Sequence, residues 1–93
     1  MIAVDTAIEV ACKVVGIDIE QFQAPERIEE FVDARGIAYK LMKEGNGWSY
    51  NRIGRLYGKD HTAIRHAVKR VDNSIHTRGT LGKLYQECEG RIT

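Results

Sequence analysis

The chain of 93 residues predicts an all-α fold, a compact helical domain of about five to six helices containing a helix-turn-helix. Three observations carry that prediction. Apolar residues recur at spacings of three and four along almost the whole chain, the pattern that lines one side of a helix against a core. Nothing alternates with period two for long enough to make a convincing strand. Glycine or proline punctuates the periodic segments at Gly16, Pro25, Gly45, Gly47 and Gly58.

Taken in order, Val4, Ile8, Ala11, Cys12 and Val15 define the first helix, which Gly16 ends. Asp5 or Thr6 can cap it, and Thr6 and Glu9 stand at capping-box spacing. Residues 20–23 make at most a short turn of helix carrying Phe22. Pro25 suits a first helical position, and Ile28, Phe31, Val32, Ala38, Leu41 and Met42 then predict a long amphipathic helix that stops at Gly45-Asn46-Gly47.

Ser49 is a natural N-cap for the next helix, with Trp48 before it and Ile53 inside it at the spacing of a hydrophobic staple. That position makes Trp48 a structural anchor rather than a stacking platform. Gly58 stops this helix, and Ile53, Leu56 and Tyr57 are expected to pack against a following stripe of Ile64, Ala67, Val68, Val71 and Ile75. Two helices joined by a turn of about three to four residues are what a helix-turn-helix requires. The last helix, over residues 80–92, shows Leu81, Leu84, Tyr85, Cys88 and Ile92; Gly79, Gly82 and Gly90 are expected to weaken it. Its stripe either closes the monomer's core or pairs with a second copy. Closure is preferred, because so small a chain has little apolar surface to spare, so a monomer is expected and a dimer is the alternative.

The run Gly58-Lys59-Asp60-His61-Thr62-Ala63-Ile64 is the most informative stretch. Glycine allows a sharp reversal, Asp60 can accept hydrogen bonds from the first exposed backbone N–H groups, and His61 and Thr62 sit at a helix N-terminus. A helix-turn-helix presents base-contacting groups from that place. Thr62, Arg65, His66 and Lys69 lie opposite the apolar stripe; on its own that face would read as an ordinary solvated one.

Ser49, Ile53-Gly54, Gly58, the basic Lys59 and then Asp60-His61-Thr62 resemble the signature of the C-terminal DNA-binding domain (domain IV) of DnaA, the bacterial chromosomal replication initiator, in the Trp-repressor-like helix-turn-helix superfamily. Residues 7–17, 20–23 and 35–44 resemble the family's first three helices, and the likeness runs over about residues 5–75. It implies double-stranded DNA as partner, with Asp60, His61, Thr62 and Ala63 approaching bases in the major groove from a recognition helix over residues 60–73. It also implies that Arg35, Lys43, Ser49, Tyr50, Asn51, Lys59, Arg65 and Lys69 hold phosphates. Cations and helix N-termini are common phosphate anchors, and a hydroxyl can donate or accept at a base edge. His61 can do either according to tautomer, so its protonation is expected to matter near neutral pH.

Three departures from the family stand out. Ala63 replaces a threonine, keeping a methyl for thymine contact and losing a hydroxyl. The turn has one glycine where many members have two. Residues 24–33 are acidic where the family carries a basic loop that inserts arginine into the minor groove; only Arg27 could substitute, and that contact is not carried over. Gly36 also stands where the pattern beside Arg35 has a glutamine.

Charge points the same way without any resemblance. Residues 1–34 set Lys13 and Arg27 against eight acids, a net of −6, whereas residues 35–93 carry twelve bases and five acids, a net of +7. A nearly neutral chain can still bind DNA when its cations share a face. The acidic half faces away or binds something else.

Other classes find little support. Cys12 and Cys88 lie on apolar stripes, as reduced buried thiols rather than a disulfide framework or a nucleophile. His61 and His66 are five apart rather than four, with no cysteine nearby, so no metal site is expected, and no cofactor. Neither a nucleotide-hydrolase glycine loop nor a nucleophile elbow is present, so no enzyme activity and no ATPase is expected. The stretch is expected to act as a sequence-specific DNA-reading module in replication control or transcriptional regulation, free-standing or excised, rather than as a full initiator. No apolar run approaches the ~20 residues that span a bilayer, and no signal peptide is visible, so a soluble, cytoplasmic, single-domain protein over residues 1–93 is expected. The competing reading is a protein-interaction module that keeps the fold and binds a replication or mobile-element partner through its acidic half.

Overall fold

The computed structural model describes residues 1–92, and its six helices are α1 (Val4–Val15), α2 (Ile19–Gln23), α3 (Glu29–Asn46), α4 (Tyr50–Tyr57), α5 (His61–His76) and α6 (Thr80–Ile92). α3 is the central helix: α1 and α5 pack along it, and α2, α4 and α6 each touch it. α6 closes the far side by packing on α5 and α1, whereas α4 packs on α3 and α5, with its Tyr57 ring 6.3 Å from that of Phe22 in α2. Ile37, Leu41 and Met42 of α3 meet Ile53, Ile64, Val68, Val71 and Cys88 in a fully buried core. All of these but Ile37 are among the apolar positions whose helical spacing predicts the elements.

Where α3 crosses α5, glycine is needed for a close approach. A Cβ on Gly36 would lie 3.2 Å from Val71 Cγ2 and 3.3 Å from the Ala67 carbonyl oxygen. Gly82 plays a similar part between α6 and α5: its Cβ would fall 2.6 Å from the Ile75 backbone, and its N–H donates to Ser74 Oγ at 2.8 Å. Gly82 is therefore a packing contact, which corrects the expectation that it only weakens α6.

Three local expectations are also corrected. α1 starts at Val4 behind Ala3, with no side-chain cap, so neither Asp5 nor Thr6 serves as one. The chain before it is pinned instead: Asn46 at the end of α3 accepts from the Ile2 N–H at 2.5 Å and donates to its carbonyl at 2.9 Å. α3 begins at Glu29 rather than at Pro25, because Arg35 donates to the carbonyls of Phe22 (2.8 Å), Ala24 and Glu26 (3.3 Å) and so holds residues 24–28 out of the helix. Leu56 is 48% exposed, since the seam of α4 runs along Tyr50, Ile53, Gly54 and Tyr57 and leaves Leu56 at its edge.

Lys40 is the one buried charge among the described residues. Its ammonium lies 2.5 Å from Asp72 on α5 and 3.5 Å from Glu44, over the Tyr85 ring of α6. Burial by itself lowers its pKa, but the Asp72 hydrogen bond and charge, with Glu44 behind them, outweigh burial and leave it raised. Cys12 and Cys88 are buried and free, and burial first, then nearby acid charge, pushes both thiols up, Cys88 to about 12. No described helix is long and apolar enough to cross a membrane.

Candidate nucleic-acid interface

The site starts with a tight turn. Gly58 takes the left-handed conformation at φ 65°, which only glycine adopts freely, and the N–H groups of Gly58 and Lys59 both donate to the Gly54 carbonyl. Gly54 must also lack a side chain, because a Cβ there would sit 2.5 Å from the Lys59 carbonyl oxygen. The chain thus folds back over α4 and delivers Asp60 to the start of α5.

Asp60 caps α5 by accepting from the Thr62 N–H at 3.3 Å. The same oxygen lies 3.1 Å from Nδ1 of His61, whose side chain is 51% exposed. Nδ1 is thus engaged by the cap carboxylate, which leaves Nε2 as the ring nitrogen for a ligand. Ile64, Val68 and Val71 go inward, while Ala63, Arg65, His66 and Lys69 are exposed and Thr62 is half-buried. The leading turn of α5 is therefore an open, capped helix end.

Cations stand on the neighbouring elements. Lys43, at the end of α3, sits 4.7 Å above the Tyr50 ring, which joins it to the first turn of α4. Ser49 Oγ caps α4 by accepting from the Arg52 N–H at 3.1 Å, leaving its hydroxyl proton available to a ligand, and Asn51 is exposed beside it. Trp48 is half-buried against the core, as an anchor should be, with the Arg52 guanidinium 4.1 Å over its ring. Exposed Lys59 lines a cleft of about 200 Å³ together with Arg27, Arg35 and Ala63.

Two expected features look different in three dimensions. Arg35 is tied to the carbonyls of Phe22 at the end of α2 and of Ala24 and Glu26 after it, so it braces that segment while lining the cleft with Lys59. Arg27, set aside on charge grounds, is brought by the braced loop into the same cleft as Lys59 and Ala63. Arg52 escaped the sequence reading, although an arginine four residues after a tryptophan at a helix start is the available signal. Arg70 is different again: its guanidinium lies 2.6 Å from Asp33 and 3.9 Å from Glu29, held by the acids that open α3.

Comparison with known proteins agrees with this geometry. Residues 4–71 match the family model described as the bacterial dnaA protein helix-turn-helix. The chromosomal replication initiator protein DnaA of Caldanaerobacter subterraneus subsp. tengcongensis is 33% identical over 84 residues, covering 90% of this chain and 19% of the relative. The proteins of the same name from Picosynechococcus sp. and Bacteroides thetaiotaomicron are each 30% identical, over 97% and 98% of this chain and 20% of their own length. The chain thus spans about a fifth of the length of these curated relatives. The match runs through α1 to the middle of α5 and includes every part of the turn and cap just described, and on that ground the chain belongs to the bacterial DnaA helix-turn-helix family.

Proposed function

We propose that this chain binds double-stranded DNA sequence-specifically, with the leading end of α5 in the major groove, and serves replication control. The observation that carries the reading is the capped, exposed start of α5, with Lys59 and Arg27 in a cleft beside Ala63. In this reading Asp60, His61, Thr62 and Ala63 face base edges: His61 through Nε2, Thr62 through its hydroxyl, and Ala63 through a methyl suited to thymine. Lys43, Ser49, Tyr50 and Asn51 grip phosphates beside α4, and Lys59, Arg65 and Lys69 grip them along α5. Arg35 acts through the loop it braces. The relatives are replication initiators by name, which supports a role at replication origins, with no nucleotide-hydrolase step assigned to these residues.

Selection of bound duplexes from a random pool, followed by salt titration on the winner, tests this. Log affinity should fall with log salt at a slope of about −0.9 per phosphate contact. His61→Ala should cost ~1–3 kcal/mol on the selected site and little on random duplex, whereas Lys43→Ala should weaken all sequences alike. Absence of an enriched sequence, together with a flat salt dependence, would overturn the reading.

A further inference from the structure

Two surfaces outside the proposed DNA face remain, and they match each other. The first is the outward side of α4, where Leu56 is 48% exposed next to the exposed cation Arg55. On a helix whose Ile53 is buried and whose Tyr50 and Tyr57 are half-buried, this leucine is the one large aliphatic side chain turned to solvent, and the DNA reading leaves it unused. The second is a groove of about 580 Å³ where the end of α1, the start of α3, the end of α5 and the start of α6 meet. Val15, Leu81 and Leu84 supply its apolar lining and Glu29, Glu30 and Asp33 its acidic side. Arg70 is the one cation lining it, and Asp33 and Glu29 already hold that guanidinium, so three carboxylates face one positive charge.

We propose that the groove receives the outward face of α4 from a second copy of this chain, with Leu56 entering between Val15, Leu81 and Leu84 and Arg55 meeting Glu29 and Glu30. Charge complementarity selects this occupant: the rim is negative, and the exposed leucine on the other surface stands beside an arginine. The rim also repels phosphate, which excludes nucleic acid from the groove. Because no residue of α4 lines the groove, which is shared by α1, α3, α5 and α6, one copy can use both surfaces at once. Such a contact is heterologous, so copies join head to tail in an open row rather than a closed dimer. Neither surface includes residues 60–63, so the row leaves the leading end of α5 uncovered, and the inference stands whether or not the chain reads DNA.

The patch is small, so association in free solution is weak and becomes visible only on concentration. Amide shifts of the full chain, recorded from about 20 μM to about 1 mM, should move at residues 55–56 and at residues 29–33 and 80–84 together, and sedimentation should show growth beyond a dimer. Leu56→Asp should abolish both signals. Arg55→Glu and the double variant Glu29→Lys with Glu30→Lys should each be monomeric alone, and mixing the two should restore association, because each then offers the charge the other lacks. These positions are exposed, and circular dichroism of each variant checks that the fold is kept. A wild type that stays monomeric without shifts at 1 mM, a mixture that stays monomeric, or association that survives Leu56→Asp would each overturn the proposal; the last would assign the groove to another occupant.

Discussion

The two halves of α5 carry cations of the same kind and put them to different use. Over its first turns His61, Arg65, His66 and Lys69 are exposed along an outward face, and the one nearby carboxylate, Asp60, serves as the cap. Further along, Arg70 is held by Asp33 and Glu29, and Asp72 by Lys40. Arg65 and Lys69 give a net charge of +2 over residues 61–69, and Arg70 against Asp72 gives zero over residues 70–76, but Arg70 is as exposed a cation in sequence terms as Lys69 beside it. What separates them is whether a partner from α3 reaches the side chain: the acidic start and the buried lysine of α3 lie against the later turns only. A binding face is thus defined as much by where intramolecular ion pairs stop as by where cations begin.

The largest test of that contrast removes the device that delivers the open end. Gly54→Ala would gain some helix propensity, but its Cβ meets a backbone oxygen at 2.5 Å and cannot move aside. We expect a loss of roughly 2–4 kcal/mol in chemical denaturation, with the turn and the binding face lost together. Next is the closed half: Lys40→Ala leaves Asp72 and Glu44 without their cation and should cost roughly 1–3 kcal/mol, discounted because both acids are about half exposed. The pH dependence follows from its raised pKa. The folded state holds the Lys40 proton more tightly than the unfolded chain, so its contribution is complete below about pH 10.5 and falls away as pH rises through the raised folded value. Lys40→Met should flatten that alkaline limb in thermal melts taken between pH 9 and pH 12, roughly the window set by lysine titration.

Smaller effects sharpen the contrast at each end. Asp60→Ala removes the cap and should cost ~1 kcal/mol of stability, read from the shift in denaturant midpoint at unchanged slope. Asp33→Asn should hardly change stability. If its carboxylate is what withdraws Arg70 from phosphates, the variant should bind duplex a few-fold more tightly and steepen the salt slope by up to about 0.9, the value of one added contact. An unchanged slope would mean that Arg70 lies beyond reach of the backbone, and that position along α5 rather than pairing divides its two halves.

Much of this was legible in the residues. The buried stripe of Ile64, Val68 and Val71, the caps Ser49 and Asp60, and the stops at Gly16 and Gly58 were read at their positions, since each depends on neighbours three or four residues away. The failures involved partners remote in the chain. Nothing near Arg35 announces that it will brace the loop over residues 22–26, and nothing near Val4 announces that Asn46 will pin the chain before it. Gly36 looked like a lost glutamine until α5 was seen crossing it.

The chain alone therefore determined its helices, its helix-turn-helix and its family, because periodicity, capping and turn chemistry act over single turns of backbone. The tertiary structure alone decided which charges face outward and which are answered from within. Arg70 and Asp33 are thirty-seven residues apart in the chain and 2.6 Å apart in space, and no local pattern encodes such a meeting. It comes from the angle at which α3 crosses α5, and that angle is set by packing against every other helix at once.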